Sequence, residues 1–214
     1  MPEQASEAIV LRTYPLKEAD LIVSFFTRDQ GKLRGVANRA RRPKSGFGPS
    51  LERLSRVRIH YTARENRELV RIGSCDLIHS QFEIARDYSI GVALDVMAEI
   101  SEHLLPPHEA NERFFRLLES VLAHLRTNGA DGLWRAVTYF EWWAVRLSGF
   151  LPELNLSEQA AAQQAAIQKC TIDNVGVLDW THQGTAELRR LLTRLTENHI
   201  ERRLLAAPIL ESIE

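Results

Sequence analysis

The spacing of apolar residues changes once along this chain of 214 residues, and that change constrains the fold more than any other feature. In the first third, apolar and polar residues alternate with a period of two, so that Val57, Ile59 and Tyr61 share one face of a strand. From about Gln81 onward, apolar residues recur every three or four positions, the period of an amphipathic helix. The sequence therefore predicts a β-rich part followed by a helical part.

The β-rich part contains five short strand patterns separated by turn residues. They cover residues 8–14, 20–27, 32–37, 55–62 and 69–72. No segment with a helical period lies among them, which predicts a small antiparallel barrel. The OB-fold is the five-stranded barrel that binds single strands of nucleic acid. The predicted fold class is thus α+β, with a five-stranded OB-fold barrel at 1–80 and an all-helical C-terminal domain at 81–214.

The helical part contains four apolar stripes that predict the helices of a bundle. They cover residues 88–104, 114–125, 133–147 and 188–195. Thr185 is the expected N-cap of the last helix because its hydroxyl can accept a backbone hydrogen bond. The alanine- and glutamine-rich segment 157–169 is also predicted to be helical. Residues 170–184 are predicted to be irregular, with a short hairpin around Asn174–Gly176.

Positive charge is concentrated in the barrel part. Residues 1–80 contain 15 Lys and Arg against 9 Asp and Glu, a net charge of +6, whereas residues 81–214 contain 12 against 19, a net charge of −7. Seven of the basic residues lie between Arg28 and Lys44, where Asp29 is the one acid. A cationic hairpin with a glycine-rich loop suits a phosphate backbone. The alternative is a charged surface that is merely solvated.

The candidate DNA-binding residues belong to this basic segment. They are Lys32, Arg34, Arg39, Arg41, Arg42, Lys44 and Phe47. Phe47 is the one aromatic residue among them, and its ring is a candidate for stacking on a base. The alternative for Phe47 is that it folds back and anchors its own loop on the barrel.

Other reactive side chains give little support for catalysis. Glu18 and Asp20 would face the same side of an extended segment, as metal-binding pairs do, but turn capping is the favoured interpretation. Nucleotide-binding, zinc-protease and serine-hydrolase motifs are absent from the sequence, so we expect neither an enzyme nor a cofactor. Cys75 and Cys170 cannot form a disulfide framework, and no secretion signal or membrane-spanning run is present, which favours the cytoplasm.

Three stretches of the sequence strongly resemble the RecO family of recombination mediators. The first runs from Glu18-Ala19-Asp20 through Phe26-Thr27 and Gly31-Lys32 to Ala40-Arg41-Arg42-Pro43-Lys44-Ser45. The second is Leu51-Glu52-Arg53-Leu54-Ser55, and the third, Leu147-Ser148-Gly149-Phe150-Leu151-Pro152-Glu153-Leu154, matches the junction at the start of the C-terminal part in the family. The resemblance thus covers both predicted domains.

The resemblance implies an OB-fold on a helical domain and a non-enzymatic role. Members of the RecO family bind single- and double-stranded DNA and anneal complementary strands. With RecR they help to load RecA onto gaps coated with single-stranded-DNA-binding protein (SSB). The implied partners are therefore DNA, RecR, the SSB C-terminal tail and a RecA-loading complex, and the implied location is the cytoplasm, at the nucleoid.

The resemblance also implies that the helical domain receives the acidic, apolar-ended SSB tail. Such a tail needs an apolar pocket beside a cation. The candidate partner-binding residues are Arg113, Arg116, Arg135, Trp142 and Arg146.

The sequence departs from the family pattern in two places. Many members carry paired cysteines of a zinc site after the junction, but here only Cys170 lies in that region. A structural zinc ion needs four ligands, so we expect no metal. Arg39 stands where many members have glycine, which adds charge and affects the conformation of the loop.

Two other functions remain open at this stage. A protein adaptor could use the basic face to bind an acidic partner such as RecR, and its interaction with DNA would be absent or insensitive to salt. A nucleic-acid enzyme could use Glu18 and Asp20 with magnesium, and it would cleave labelled DNA in a reaction that EDTA abolishes.

Overall fold

The chain forms two compact units in a computed structural model that describes residues 3–43, 45–63, 68–175 and 178–213. The first unit comprises residues 1–83 and 105–115, and the second comprises 84–104 and 116–214. None of the helices in the described residues is long and apolar enough to span a bilayer.

The first unit contains a closed five-stranded barrel. Its strands are β1 (Gln4–Leu16), β2 (Asp20–Thr27), β3 (Gly31–Ala37), β4 (Arg56–Thr62) and β5 (Val70–His79). Their order around the barrel is β1-β2-β3-β5-β4, and β4 pairs with β1 to close it. The pairs are antiparallel except for β3 and β5, which run parallel. This arrangement confirms the predicted OB-fold barrel.

Two strands are longer than the sequence pattern indicated. β1 continues past Pro15, which pairs with Leu21 of β2. On its other side β1 pairs with β4 only from Gln4 to Ile9, so the missing N–H of Pro15 interrupts no second ladder. β5 continues through Gly73 to His79 because β4 supplies an antiparallel partner along this length.

The barrel core is formed by the inward-facing side chains of all five strands. On β4 the predicted alternation holds: Val57, Ile59 and Tyr61 are buried, whereas Arg58 is exposed. The other core residues of the strands include Ala8, Val10, Val23, Phe25, Leu33, Ala37, Val70, Ile72 and Cys75. Burial of so many apolar side chains is the main source of stability for a small barrel.

Segment 105–115 packs against the turn between β2 and β3 within the same unit. The backbone N–H of His108 donates to the carbonyl of Lys32 at 3.0 Å. Phe26 of β2 contacts the ring of Phe115, with 5.8 Å between ring centroids. Gly31 has φ +75°, and a Cβ at this position would overlap the backbone of Glu109. Only glycine suits both the backbone conformation and this close approach.

The second unit is built from helices. The helices of the described chain are α1 (Tyr88–Leu104), α2 (Glu112–Asn128), α3 (Leu133–Leu147), α4 (Glu158–Lys169), α5 (His182–His199) and α6 (Ala207–Glu211). The all-helical C-terminal domain predicted from the sequence is therefore confirmed. α6 was not predicted, since five residues are too few to show a helical period.

Two details of the helical prediction are corrected. α5 begins earlier than expected: Thr181 is its N-cap and accepts a hydrogen bond from the N–H of Gly184 at 3.1 Å. Thr185 lies inside the helix, where its hydroxyl donates to the carbonyl of Thr181. The hairpin expected around Asn174–Gly176 is not seen in its described part: Asn174 belongs to a 3₁₀ turn, Ile172–Asn174, and Val175 lies in no regular element. Gly176 lies outside the described residues.

Candidate nucleic-acid interface

The basic loop after β3 is held by the turn between β1 and β2. The Asp20 carboxylate accepts a hydrogen bond from the backbone N–H of Arg39 at 2.7 Å. The N–H of Arg41 donates to the carbonyl of Ala19 at 3.0 Å. Asp20 therefore has the capping role favoured from the sequence, and Arg39–Arg42 are positioned by backbone contacts that leave their side chains available.

Five of the six basic candidate DNA-binding residues lie on β3 and the described part of the loop, and they differ in exposure. Arg34, Arg39, Arg41 and Arg42 are exposed, so their guanidinium groups can reach a ligand. Lys32 is only 7% exposed. The expectation that Lys32 contacts DNA is therefore wrong for this structure, because the outer face of β3 is covered at that position. The sixth candidate, Lys44, lies outside the described residues.

Phe47 is not available for base stacking. Its side chain is 8% exposed and belongs to the barrel core. The alternative drawn from the sequence is the correct one, since Phe47 anchors its own loop. Burial of an aromatic ring at this point limits the freedom of the loop that carries the arginines.

Arg39 adopts a backbone conformation that favours glycine. Its φ is +57°, in the left-handed region, where a side chain costs roughly 1 kcal/mol. The Asp20 hydrogen bond holds the residue there. The arginine at this position therefore adds a cation and strains the backbone.

We expect Arg39→Gly to raise the free energy of unfolding by about 0.5 kcal/mol, because relief of strain exceeds the added entropy of the unfolded chain. Chemical denaturation followed by circular dichroism measures the change. Arg41→Gly is the control: Arg41 has no positive φ, so the same substitution is expected to destabilise the barrel. Equal destabilisation by both substitutions would contradict this account of Arg39.

The strand register brings an aromatic residue onto the outer face of the barrel beside two arginines. Arg12 and Tyr14 follow a bulge in β1 and lie on the same face. The guanidinium carbons of Arg12 and Arg34 lie 5.4 and 6.0 Å from the centre of the Tyr14 ring. An aromatic face flanked by cations is a platform for a base and its phosphates.

The same register continues across the other strands. Tyr14 is opposite Ile22, Ile22 is opposite Val36, and Val36 is opposite Arg71, which is opposite Thr62. Arg12, Tyr14 and Arg71 are further candidate interface residues, which the sequence pattern did not single out. The period-two spacing of Arg12 and Tyr14 was a usable signal, whereas the position of Arg71 follows only from the β3–β5 pairing.

A second group of basic residues on the barrel is partly neutralised within the protein. Arg56 donates to the Glu7 carboxylate at 2.8 Å, and Arg28 and Arg58 lie 3.9 Å from it. The hydrogen bond from Arg56 lowers the pKa of Glu7, so the carboxylate stays charged. This cluster carries less net charge than its arginines suggest, which makes the loop the stronger phosphate-binding candidate.

The five partner-binding candidates do not form one pocket. Trp142 is fully buried in the helical core, so the expectation that a partner contacts its ring is wrong. Arg146 is exposed and its guanidinium carbon lies 5.1 Å from the centre of the Trp142 ring. Arg135 is half-buried and Arg116 is exposed, both in the second unit. Arg113 is exposed but belongs to the first unit.

In the helical unit, His182 contacts other protein groups. His182 lies 3.9 Å from the Glu211 carboxylate and packs against the Trp134 ring. Within the described residues, no three His, Cys, Asp or Glu side chains are grouped as metal ligands.

Comparison with known proteins agrees with the geometry. Residues 1–81 match the family description "Recombination protein O N terminal", and residues 86–157 match "Recombination protein O C terminal". A DNA repair protein RecO of Koribacter versatilis is 36% identical over 98% of this chain and 98% of its own length. A DNA repair protein RecO of Cutibacterium acnes is 37% identical over 62% of this chain and 54% of its own length. With a basic OB-fold barrel, a helical second unit and these matches, the chain belongs to the RecO family of DNA repair proteins.

Proposed function

We propose that the barrel binds the phosphate backbone of DNA through Arg34 and the loop Arg39–Arg42. The observation that carries the proposal is the exposure of four arginines on β3 and on the loop that follows it, which is tethered by Asp20 and Ala19. Neutralisation of phosphates releases counterions, which supplies affinity without sequence preference. Tyr14 lies under the guanidinium groups of Arg12 and Arg34, and this group of one ring and two cations adds a surface for a base and its phosphates.

The proposed role in repair is that of a recombination mediator. Binding of two strands on a cationic surface lowers their mutual repulsion, which favours annealing. Partners that follow from the family resemblance are RecR, the SSB tail and a RecA-loading complex. Arg116, Arg135 and Arg146 remain candidates for the acidic tail, because they are cations on the helical unit that are not fully buried. The protein is proposed to act without enzymatic activity, in the cytoplasm at the nucleoid.

The double variant Arg41→Ala, Arg42→Ala tests the phosphate contact. Binding to a labelled single strand, measured by fluorescence anisotropy over a series of salt concentrations, is expected to weaken for every sequence. The slope of log K against log salt should flatten by about 0.7 for each phosphate that the variant no longer neutralises. The matched control is Arg194→Ala, Arg202→Ala, which removes two exposed arginines from the helical unit and should leave the slope unchanged.

An adaptor function is the second candidate. The basic face would then dock an acidic protein, with RecR as the partner that the family resemblance suggests. Wild-type protein that shows no salt-dependent binding to DNA would contradict the phosphate contact and favour the adaptor. An unchanged salt slope in the Arg41, Arg42 double variant would remove the loop from the interface.

A further inference from the structure

A cleft of about 570 Å³ opens on the outer face of the barrel next to the basic loop. Val36 of β3, Arg71 of β5 and Thr62 of β4 line it side by side across three strands. Asn38 also lines the cleft and directly precedes Arg39 in the chain. The volume lies within the range of small-ligand sites, roughly 300–1,000 Å³.

The lining combines apolar walls with groups that can donate and accept hydrogen bonds. Val36, Leu69 and Val70 supply the apolar surface. The Asn38 amide and the Thr62 hydroxyl can each donate and accept a hydrogen bond. A flat ligand with polar edges and apolar faces matches such a surface.

The charges of the described lining residues favour a neutral ligand over a phosphate inside the cleft. Among them Glu68 contributes one carboxylate and Arg71 one guanidinium, so these two formal charges cancel. A phosphate would gain less there than at the loop, where Arg39, Arg41 and Arg42 are all cationic. A nucleobase is neutral, and its edges present both donors and acceptors.

We propose that the cleft holds one unstacked nucleobase of a DNA single strand whose phosphates lie on the Arg39–Arg42 loop. The inference rests on the proposed function, because the loop must first bring the strand to the barrel. The sequence neighbours Asn38 and Arg39 would then contact the base and the backbone of the same strand. A base within a duplex must be unpaired before it can enter, so the cleft favours single strands.

The first arm of the test compares two labelled strands of equal length, a normal oligonucleotide and one with abasic sites throughout. Both carry the same phosphates, so their salt slopes should be equal. Wild-type protein is expected to bind the normal strand about tenfold more tightly, since a base contact is retained only there. Equal affinity of the wild type for the two strands would overturn the proposal.

The second arm closes the cleft or removes its polar group. Thr62→Tyr places a ring in the cleft from β4, and tyrosine suits a strand. Asn38→Ala removes one amide at an exposed position, so it preserves the barrel even if the larger side chain does not. Both variants are expected to lose most of the tenfold preference for the normal strand, and the Tyr14 surface accounts for any preference that remains. Thr127→Tyr, an exposed position of the helical unit, is the control that should retain discrimination.

The possible results distinguish a base contact in the cleft from a phosphate contact at the loop. Discrimination that survives unchanged in both cleft variants would assign the base contact elsewhere and overturn the proposal, while a steep salt slope would still support the proposed function. Loss of discrimination with an unchanged salt slope supports the cleft as the base site. Absence of any salt-dependent binding by the wild type would overturn both.

Discussion

Replacement of Arg189 by alanine is expected to lower the free energy of unfolding by about 3–5 kcal/mol. Arg189 lies on α5 and is only 1% exposed. It donates to the Thr185 hydroxyl at 3.0 Å and to the Glu211 carboxylate at 2.5 Å, and its guanidinium carbon lies 4.4 Å from the centre of the Trp134 ring. The substitution removes these interactions together and leaves a cavity in the helical unit.

Urea denaturation at neutral pH measures this decrease in stability. The neighbouring Arg190 provides a matched control, because it approaches the same Glu211 carboxylate at 3.6 Å but its side chain is 59% exposed. Arg190→Ala is expected to cost less than about 1 kcal/mol, as exposed ion pairs do. Similar decreases for the two variants would show that burial of Arg189 is not the source of its contribution.

Substitution of Glu141 by glutamine is expected to alter how stability depends on pH. Burial raises the pKa of the Glu141 carboxyl to about 8, and the nearby Arg189 opposes the rise only in part. Its Oε2 atom is buried and has no hydrogen-bond partner, and the Thr193 hydroxyl lies 3.5 Å from Oε1. The folded protein therefore holds a proton that the unfolded chain releases near pH 4.5.

The direction in which stability changes with pH follows from the number of protons bound by the folded and unfolded states. Between about pH 5 and pH 8 the folded state binds more protons at Glu141 than the unfolded state does, so stability falls as the pH rises. The decrease over this window is about 3–4 kcal/mol. Glu141→Gln removes the titrating group, and the stability of the variant should change less over the same window.

Thermal or urea unfolding at pH 5, 6, 7 and 8 tests this expectation. Other groups titrate in the same range, so the informative quantity is the difference between wild type and Glu141→Gln at each pH. That difference should increasingly favour the variant as the pH rises. A constant difference from pH 5 to pH 8 would contradict a raised pKa at Glu141. Glu119→Gln, on a half-buried side chain of α2, is the charge-matched control.

Several features of this protein could be predicted because they are repeated along the chain. The residues of β2 were predicted at Asp20–Thr27, where the structure has them, since its apolar run ends at a clear turn. The period of the 88–104 segment predicted α1 with both ends correct. The basic loop was visible as a concentration of charge. Periodicity and composition are local properties, and they report which face of an element avoids water.

Other features depended on residues far apart in the chain. The sequence allowed Phe47 either to stack on a base outside the barrel or to fold into the core. The closed barrel has room for its ring in the core, and the ring is buried there. Lys32 was predicted to be a surface cation, yet it lies on a covered part of β3. Adjacent residues of a helix point in different directions, so Trp142 and Trp143 could not both face the core. In the packed helices, Trp142 is the fully buried one. No local pattern indicates which of two adjacent aromatic residues will be buried.

The sequence alone thus determined that a barrel precedes a helical part, the family and the basic loop. Hydrophobic periodicity, sequence motifs and local charge can all be recognised from residues that are close together in the chain. The tertiary structure alone decided the outer-face row from Tyr14 to Thr62 and the cleft beside it. β3 and β5 pair in parallel although about thirty residues separate them. That pairing, which buries the apolar side chains of Val70 and Ile72, places Arg71 beside Val36 and so creates the surface on which the proposed base site depends.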